Sequence, residues 1–269
     1  MAPPLQWRHG KVQRLRRLVR QRSFRTAERA FVVEGAKLIS VALDAGASLE
    51  GAYAAPAAWS GVGTEAVLRR ADSLGIRVHN LAEGVMERVA DTVTPQPILA
   101  VAPFLDVVLA ELAGATMLVV CVDVRDPGNA GGVLRSAEAA GADGVVLCDG
   151  SVDLYNPKTV RASAGALFHL RLVAGGEATE VLGQIGSWGM RRLAAQARGG
   201  RAHTSLDLSA PVAFVLGNEA SGLGAELSGC VDEAITIAMR GRAESLNVGM
   251  TAALLCFEAA RQREGGGTR

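Results

Sequence analysis

Met117-Leu-Val-Val-Cys-Val-Asp-Val124 followed by Asp126-Pro-Gly-Asn-Ala-Gly-Gly-Val-Leu-Arg-Ser136 is the stretch that decides the fold. Its first half is apolar without polar alternation, the pattern of a strand buried on both faces of a parallel sheet. Its second half is a loop of small residues that feeds a helix running through Ala140. Strand, glycine-rich turn and helix in that order open a βαβ unit, and in such sheets ligands bind beyond the carboxyl ends of the strands. Glycine lets backbone amides approach an anion closely, and a helix N-terminus favours negative charge. Yet Gly128, Gly131 and Gly132 do not give the G-x-G-x-x-G spacing of a dinucleotide fold, and no Lys-Ser or Lys-Thr follows as in a P-loop. A Rossmann oxidoreductase therefore lacks its fingerprint.

Working outward toward the C-terminus, the pattern predicts strands at 145–148, 168–173, 190–196, 211–216 and 234–238. Helices are expected at 157–164 and 177–187, with a final one from about 245 to 263. Toward the N-terminus lies a smaller α/β unit. Its strands are expected at 30–33, 49–54, 76–79 and 98–103, and its helices at 35–45, 64–74 and 84–90. Residues 91–97 break the periodicity. The expected organisation is a disordered 1–9, a small α/β domain over 10–105, a linker at 106–115, a parallel-sheet domain over 116–263 and a disordered tail at 264–269.

The 269 residues are 49% hydrophobic, enough for a sizeable core, yet no apolar run is long enough to predict a membrane-spanning helix. The N-terminus turns basic without an apolar stretch and is not read as a secretory signal, so a cytoplasmic protein is expected. The four cysteines form no C-x-x-C pair and are read as buried thiols in a reducing compartment; no metal site is expected. The net charge of +1 hides an asymmetry, because nine basic residues and only Glu28 lie between Arg8 and Ala30. A helix over 10–22 carrying Lys11, Arg14, Arg16, Arg17, Arg20 and Arg22 suits phosphate contacts, and these are the candidate RNA-binding residues.

Two further post-strand loops stand out. In Phe214-Val-Leu-Gly-Asn-Glu-Ala-Ser-Gly222 an apolar strand ends in a glycine and Glu219 opens a turn of small residues. In Ile235-Thr-Ile-Ala-Met-Arg-Gly-Arg-Ala-Glu-Ser-Leu-Asn-Val-Gly-Met250 a strand gives way to a flexible loop. Ser245 there reads as the N-cap of the last helix, and Asn247 wants a polar partner.

Taken in order, the three loops resemble the SpoU (TrmH) family of RNA ribose methyltransferases. The resemblance rests on Pro127-Gly128-Asn129 with Arg135, on Leu216-Gly217-Asn218-Glu219 with Gly222, and on Met239 with Ser245-Leu246-Asn247-Val248. Arg161-Ala-Ser-Ala-Gly-Ala-Leu-Phe168 is also similar to the family. Phe31-Val-Val-Glu-Gly35 resembles the start of the ribosomal-protein-like RNA-binding domain that some members carry. Gln96 before Ile98-Leu-Ala-Val101 resembles its end, although Pro97 departs from the usual Pro-Gln-Gly.

The resemblance implies an α/β fold in which a parallel-sheet domain with a deep trefoil knot follows a small α/β RNA-binding domain. It also implies S-adenosylmethionine as cofactor and a homodimer with the active site at the subunit interface. Leu216, Gly217, Ile237, Met239 and Leu246 would hold the cofactor, largely through backbone groups. Asn129, Arg135, Glu219, Ser245 and Asn247 match the polar catalytic positions. Asn129 would orient Arg135 or the ribose, and Glu219 would hold Arg135 or a loop. The expected reaction is methylation of a ribose 2′-OH in structured RNA, large-subunit ribosomal RNA before transfer RNA. A catalytically silent RNA-binding relative is the rival reading.

Overall fold

A computed structural model describes residues 3–265, and the chain divides into two compact units. The first comprises the chain up to Phe104 together with Tyr155–Arg161. It opens with two helices, α1 (Gly10–Arg20) and α2 (Arg22–Glu28). The single basic helix expected over 10–22 is thus two helices, because Gln21 adopts extended backbone and ends α1. Arg25 of α2 is buried and donates from Nη1 to the carbonyls of Leu18 and Val19, satisfying the free carbonyls at the end of α1. Val12, Leu15, Leu18 and Val19 form the buried stripe of α1, worth roughly 1.5–3 kcal/mol for each fully buried leucine.

The unit continues through β1 (Ala30–Glu34), α3 (Ala36–Asp44), β2 (Gly51–Ala54), α4 (Val62–Ser73), β3 (Val78–Asn80), α5 (Val85–Val89) and β4 (Ile98–Pro103). The sheet runs β1-β4-β2-β3, with β4 antiparallel to both neighbours and β2 parallel to β3. Within residues 3–9, expected to be disordered, Leu5 bridges Leu81, and Leu5 and Trp7 pack against the core. Met1, Ala2 and 266–269, also expected to be disordered, lie outside the described residues.

Tyr155–Arg161 was not expected in this unit. Tyr155 is buried and stacks on Phe104 at 3.8 Å between ring centroids, with Phe31 at 4.8 Å. Arg161 donates from Nη1 to the buried carboxylate of Glu34 and to Asp91, each at 3.0 Å. Glu34 also accepts from Thr92 Oγ1 and the backbone amide of Gln96, so the buried charge is fully engaged.

The second unit comprises β5 (Met117–Cys121), α6 (Pro127–Ala139), β6 (Gly144–Leu147), β7 (Arg171–Ala174), α8 (Ala178–Ser187), β8 (Arg191–Ala195), β9 (Arg201–Ala202), β10 (Val212–Leu216), β11 (Glu233–Thr236) and α9 (Val248–Gly265). The short α7 (Pro157–Ala162) ends where the second unit resumes. Among the described residues the sheet is all parallel, in the order β7-β6-β5-β10-β8-β11-β9. The continuous apolar runs of β5, β6 and β10 are buried throughout, as a sheet covered on both faces requires. The expected linker 106–115 is packed in this unit: Asp106 bridges Leu172 and Leu112 is fully buried in its core.

Helices α6 and α9 pack through glycines. A Cβ on Gly249 would come within 3.3 Å of the backbone of Gly132, and Ser136 Oγ donates to the Gly249 carbonyl. Gly131 is tighter still, since its Cβ would lie 2.3 Å from that of Ala162. Cys121, Cys148 and Cys256 are buried, as read from the sequence, while Cys230 is half-buried. Burial pushes the Cys148 and Cys256 thiols up to about 12. No described helix is long and apolar enough to cross a membrane.

Candidate active site

All three loops singled out from the sequence follow strands of the seven-stranded sheet. Asp126 caps α6 by accepting from the amide of Asn129 at 2.8 Å, with Pro127 at the first helical position. That cap fixes Asn129 in the first turn. Asn218 organises the second loop: its Oδ1 accepts from the amides of Ala220 and Ser221, and its Nδ2 donates to the Asp123 carbonyl. Asn218 and Gly222 also exchange backbone hydrogen bonds, which closes the turn around Glu219. Gly217 must be glycine here, because a Cβ would lie 2.5 Å from the Gly222 carbonyl. In the third loop Asn247, not Ser245, caps α9, accepting at Oδ1 from the amides of Gly249 and Met250. Ser245 is exposed and precedes the helix, which begins at Val248.

The three loops meet in one chain of side-chain hydrogen bonds. Asn129 Nδ2 donates to Glu219 Oε1, and Asn247 Nδ2 donates to Asn129 Oδ1, both at 2.5 Å. Residues 118 and 90 positions apart are thereby joined around Asn129. Of the two partners expected for Asn129 and for Glu219, Arg135 is not engaged by either. Arg135 is exposed on the third turn of α6 and has no hydrogen bond or ion pair with the described residues.

Beside Glu219 lies a pocket of about 590 Å³, within the 300–1,000 Å³ usual for small-molecule sites. Leu216, Gly217, Ile237, Met239 and Leu246 all line it, as do Glu219 and Ser245. Asn129, Arg135 and Asn247 do not. Sequence reasoning missed Gln196 and Arg198, which line the pocket from the loop after β8. The signal for them was positional: they follow a strand of the same parallel sheet, where ligand loops are expected.

The lining fits an adenosyl sulfonium compound. Leu216, Ile237, Met239 and Leu246 supply apolar walls for a base and ribose, and Glu219 and Glu244 supply carboxylates for a cationic group. The backbone of 239–246 makes no hydrogen bond with the described residues, so its amides and carbonyls are available to a ligand. No described group of side chains has the composition of a metal site.

Comparison with known proteins agrees with this geometry. The SpoU rRNA Methylase family matches residues 116–257, and the MRM3-like substrate binding domain matches residues 10–100. The 23S rRNA (guanosine(2553)-2′-O)-methyltransferase RlmP of Bacillus subtilis (strain 168) is 34% identical over 183 residues, which is 68% of this chain and 72% of that protein. A crystal structure of an RNA 2′-O ribose methyltransferase superposes with a TM-score of 0.80 at 33% identity, covering 97% of this chain and all of the other. The SpoU methyltransferase AviRb from Streptomyces viridochromogenes, in complex with the cofactor AdoMet, gives a TM-score of 0.83 at 25% identity over 96% of this chain and 100% of its own. The family match covers all three loops, the bonded Asn129, Glu219 and Asn247 and the pocket beside them, and the chain belongs to the SpoU rRNA Methylase family.

Proposed function

We propose that this protein methylates a ribose 2′-OH of large-subunit ribosomal RNA, with S-adenosylmethionine as the methyl source. The observation that carries the reading is the pocket lined by Leu216, Gly217, Ile237, Met239 and Leu246, set against the hydrogen-bonded Glu219, Asn129 and Asn247. The names of RlmP and of the structurally similar ribose methyltransferases support ribosomal RNA and the 2′-oxygen.

S-adenosylmethionine supplies a methyl group on a sulfonium sulfur. The ribose 2′-oxygen takes that methyl as its own proton leaves, and the electrons of the broken carbon–sulfur bond stay on sulfur. No histidine lines the pocket. A guanidinium is too weak an acid to serve as a base in a protein, so Arg135 does not take the proton. Its guanidinium, which has no ion pair among the described residues, instead stabilises charge, either on a neighbouring phosphate or on the developing alkoxide. A phosphate oxygen or a backbone carbonyl then takes the proton. Asn129 and Asn247 hold the Glu219 loop against α9, and Ser245 meets the nucleotide from the pocket rim.

The homodimer belongs to this reading. Met250, Leu254 and Phe257 are 61%, 43% and 51% exposed at i, i+4 and i+7 on α9, an apolar stripe that a second copy would cover. An active site at that interface agrees with Arg135 having no hydrogen bond or ion pair among the described residues of one chain. The trefoil knot belongs to it too, with β10 lying between β5 and β8 and α9 packed on α6. A cytoplasmic location follows from a ribosomal substrate.

The test is transfer of label from S-adenosylmethionine to ribosomal and transfer RNA lacking native modification, with mapping of alkali-resistant linkages. One labelled ribose in large-subunit RNA is the expected result. Label in transfer RNA alone overturns the substrate. Cofactor binding with no label in naked RNA or in assembled subunits overturns the enzyme reading in favour of a silent relative.

A further inference from the structure

The positive charges of the first unit fall into two kinds. Arg14 is committed to structure: its Nε meets Glu28 at 2.8 Å and its Nη1 meets Glu50 at 2.7 Å. Arg25 is buried against the end of α1. Arg16, Arg17 and Arg88 are different. They are exposed, and none has an ion pair among the described residues. Each instead lies over an aromatic ring. The guanidinium carbon of Arg88 is 3.9 Å from the centroid of Trp7, and that of Arg16 is 5.7 Å from the same ring. The guanidinium carbon of Arg17 is 3.7 Å from the centroid of Phe24.

We infer that Trp7, Arg16 and Arg88, together with Arg17 on Phe24, form a preorganised platform that binds backbone phosphates of the RNA substrate. Trp7 is itself held in place, since Gln13 Nε2 donates to its carbonyl at 2.6 Å and the ring packs against the core that contains Leu15 and Leu18. A guanidinium lying on a fixed ring keeps its N–H edges outward, and those edges match phosphate oxygens bidentately. The ring also takes up in advance part of the ordering cost that a long side chain meets on binding. The rings already carry guanidinium groups, so the platform reads phosphate and shape rather than stacked bases. Lys11 of α1 is a further exposed cation, its Nζ 2.9 Å from His79 Nε2. Burial, and then the charges of Lys11 and Arg77, hold the His79 pKa down, so His79 stays neutral and accepts.

This inference rests on the RNA-methyltransferase reading and extends it to residues outside α1. Binding of the full-length protein to an unmodified transcript of large-subunit ribosomal RNA is measured across a salt series. Arg16→Ala with Arg88→Ala is expected to flatten the slope of log affinity against log salt by roughly 1.4–1.8, as for two lost phosphate contacts. Trp7→Ala removes no charge, yet is expected to weaken binding roughly tenfold by freeing two arginine side chains, with Trp7→Phe restoring most of the loss. Arg69→Ala with Arg70→Ala, the same loss of two charges on α4, is the control and leaves affinity within about twofold. Melting curves check that each variant is folded. An unchanged slope in the Arg16/Arg88 variant overturns the platform, and so does a loss equal to that of the Arg69/Arg70 variant. Loss of binding only to assembled subunits would move the site to a protein partner and also overturn it. Failure of the wild-type protein to bind or methylate any RNA would instead strike the parent reading.

Discussion

The amide nitrogen of Asn247 lies 2.5 Å from the amide oxygen of Asn129, and that contact sets the orientation of both amides. Glu219 is a carboxylate and only accepts, so Asn129 must turn its nitrogen toward it. Its oxygen then faces Asn247, whose own oxygen is left for the amides of Gly249 and Met250. The polarity of one carboxylate is thus relayed to the first turn of α9.

Breaking this relay should cost turnover more than cofactor binding. Asn129→Ala and Asn247→Ala are each expected to lower kcat on the order of 10²-fold, while the Kd for S-adenosylmethionine moves less than about threefold. Glu219→Gln can still present an oxygen to Asn129 and should retain far more activity than Glu219→Ala. Steady-state kinetics with equilibrium binding of the cofactor checks the order.

Arg135→Ala should abolish detectable methyl transfer, a loss of at least about 10²-fold, with cofactor affinity largely spared. Arg135→Lys should not rescue it, because an ammonium lacks the planar fork. Parallel loss of cofactor affinity and catalysis would contradict the charge-stabilising role.

Two glycines separate packing from binding. A Cβ at Gly131 would meet Ala162 at 2.3 Å, so Gly131→Ala overpacks the α6 contact and should destabilise the protein by about 1–3 kcal/mol. Gly217→Ala collides with the turn at Gly222 beside the pocket, and should weaken cofactor binding at least roughly tenfold with a smaller change in Tm. Thermal melts and calorimetric titration distinguish the two.

Arg14→Ala should behave as a structural lesion. It removes two ion pairs that tie α1 to α2 and to the loop before β2, at a cost of about 1 kcal/mol after solvent screening. RNA affinity should change less than about twofold, in contrast to the Arg16 and Arg88 pair.

Acid should loosen the end of α9. The Arg261 guanidinium, and then Gln262, hold the Glu258 carboxyl at about 2, below its ordinary 4.5. Between those values the unfolded chain binds more protons than the native one, so stability rises with pH. The contribution is complete above 4.5 and is lost as pH falls toward 2. Glu258→Gln should lower Tm at neutral pH, and the gap from wild type should close on acidification across that window.

Much of this site was legible in the sequence because it lies in loops after apolar strands. The run at Met117–Cys121 and the strand ending at Leu216 are buried on both faces, and their patterns admit little else. The five residues named for the cofactor came instead from the ordered motifs of the family resemblance, which apolar patterning does not single out, and they line one pocket. What failed was local. Ser245 and Asn247 are both good caps by type, and only the irregular path of the chain up to Val248 selects Asn247. Arg14 and Arg16 read alike in a basic helix, but Glu50, distant in sequence, claims one and Trp7 the other. Tyr155–Arg161 joins the first unit through Phe104 and Glu34, contacts that no periodicity encodes.

The thiol of Cys256 is fully buried on α9, the helix that Asn247 caps and Gly249 seats against Gly132. A thiol so sheltered reacts with an alkylating reagent only when its helix lifts away. Cys256 is therefore a built-in clock for α9: its labelling rate counts the openings of that helix, and a ligand that seals the pocket should slow it.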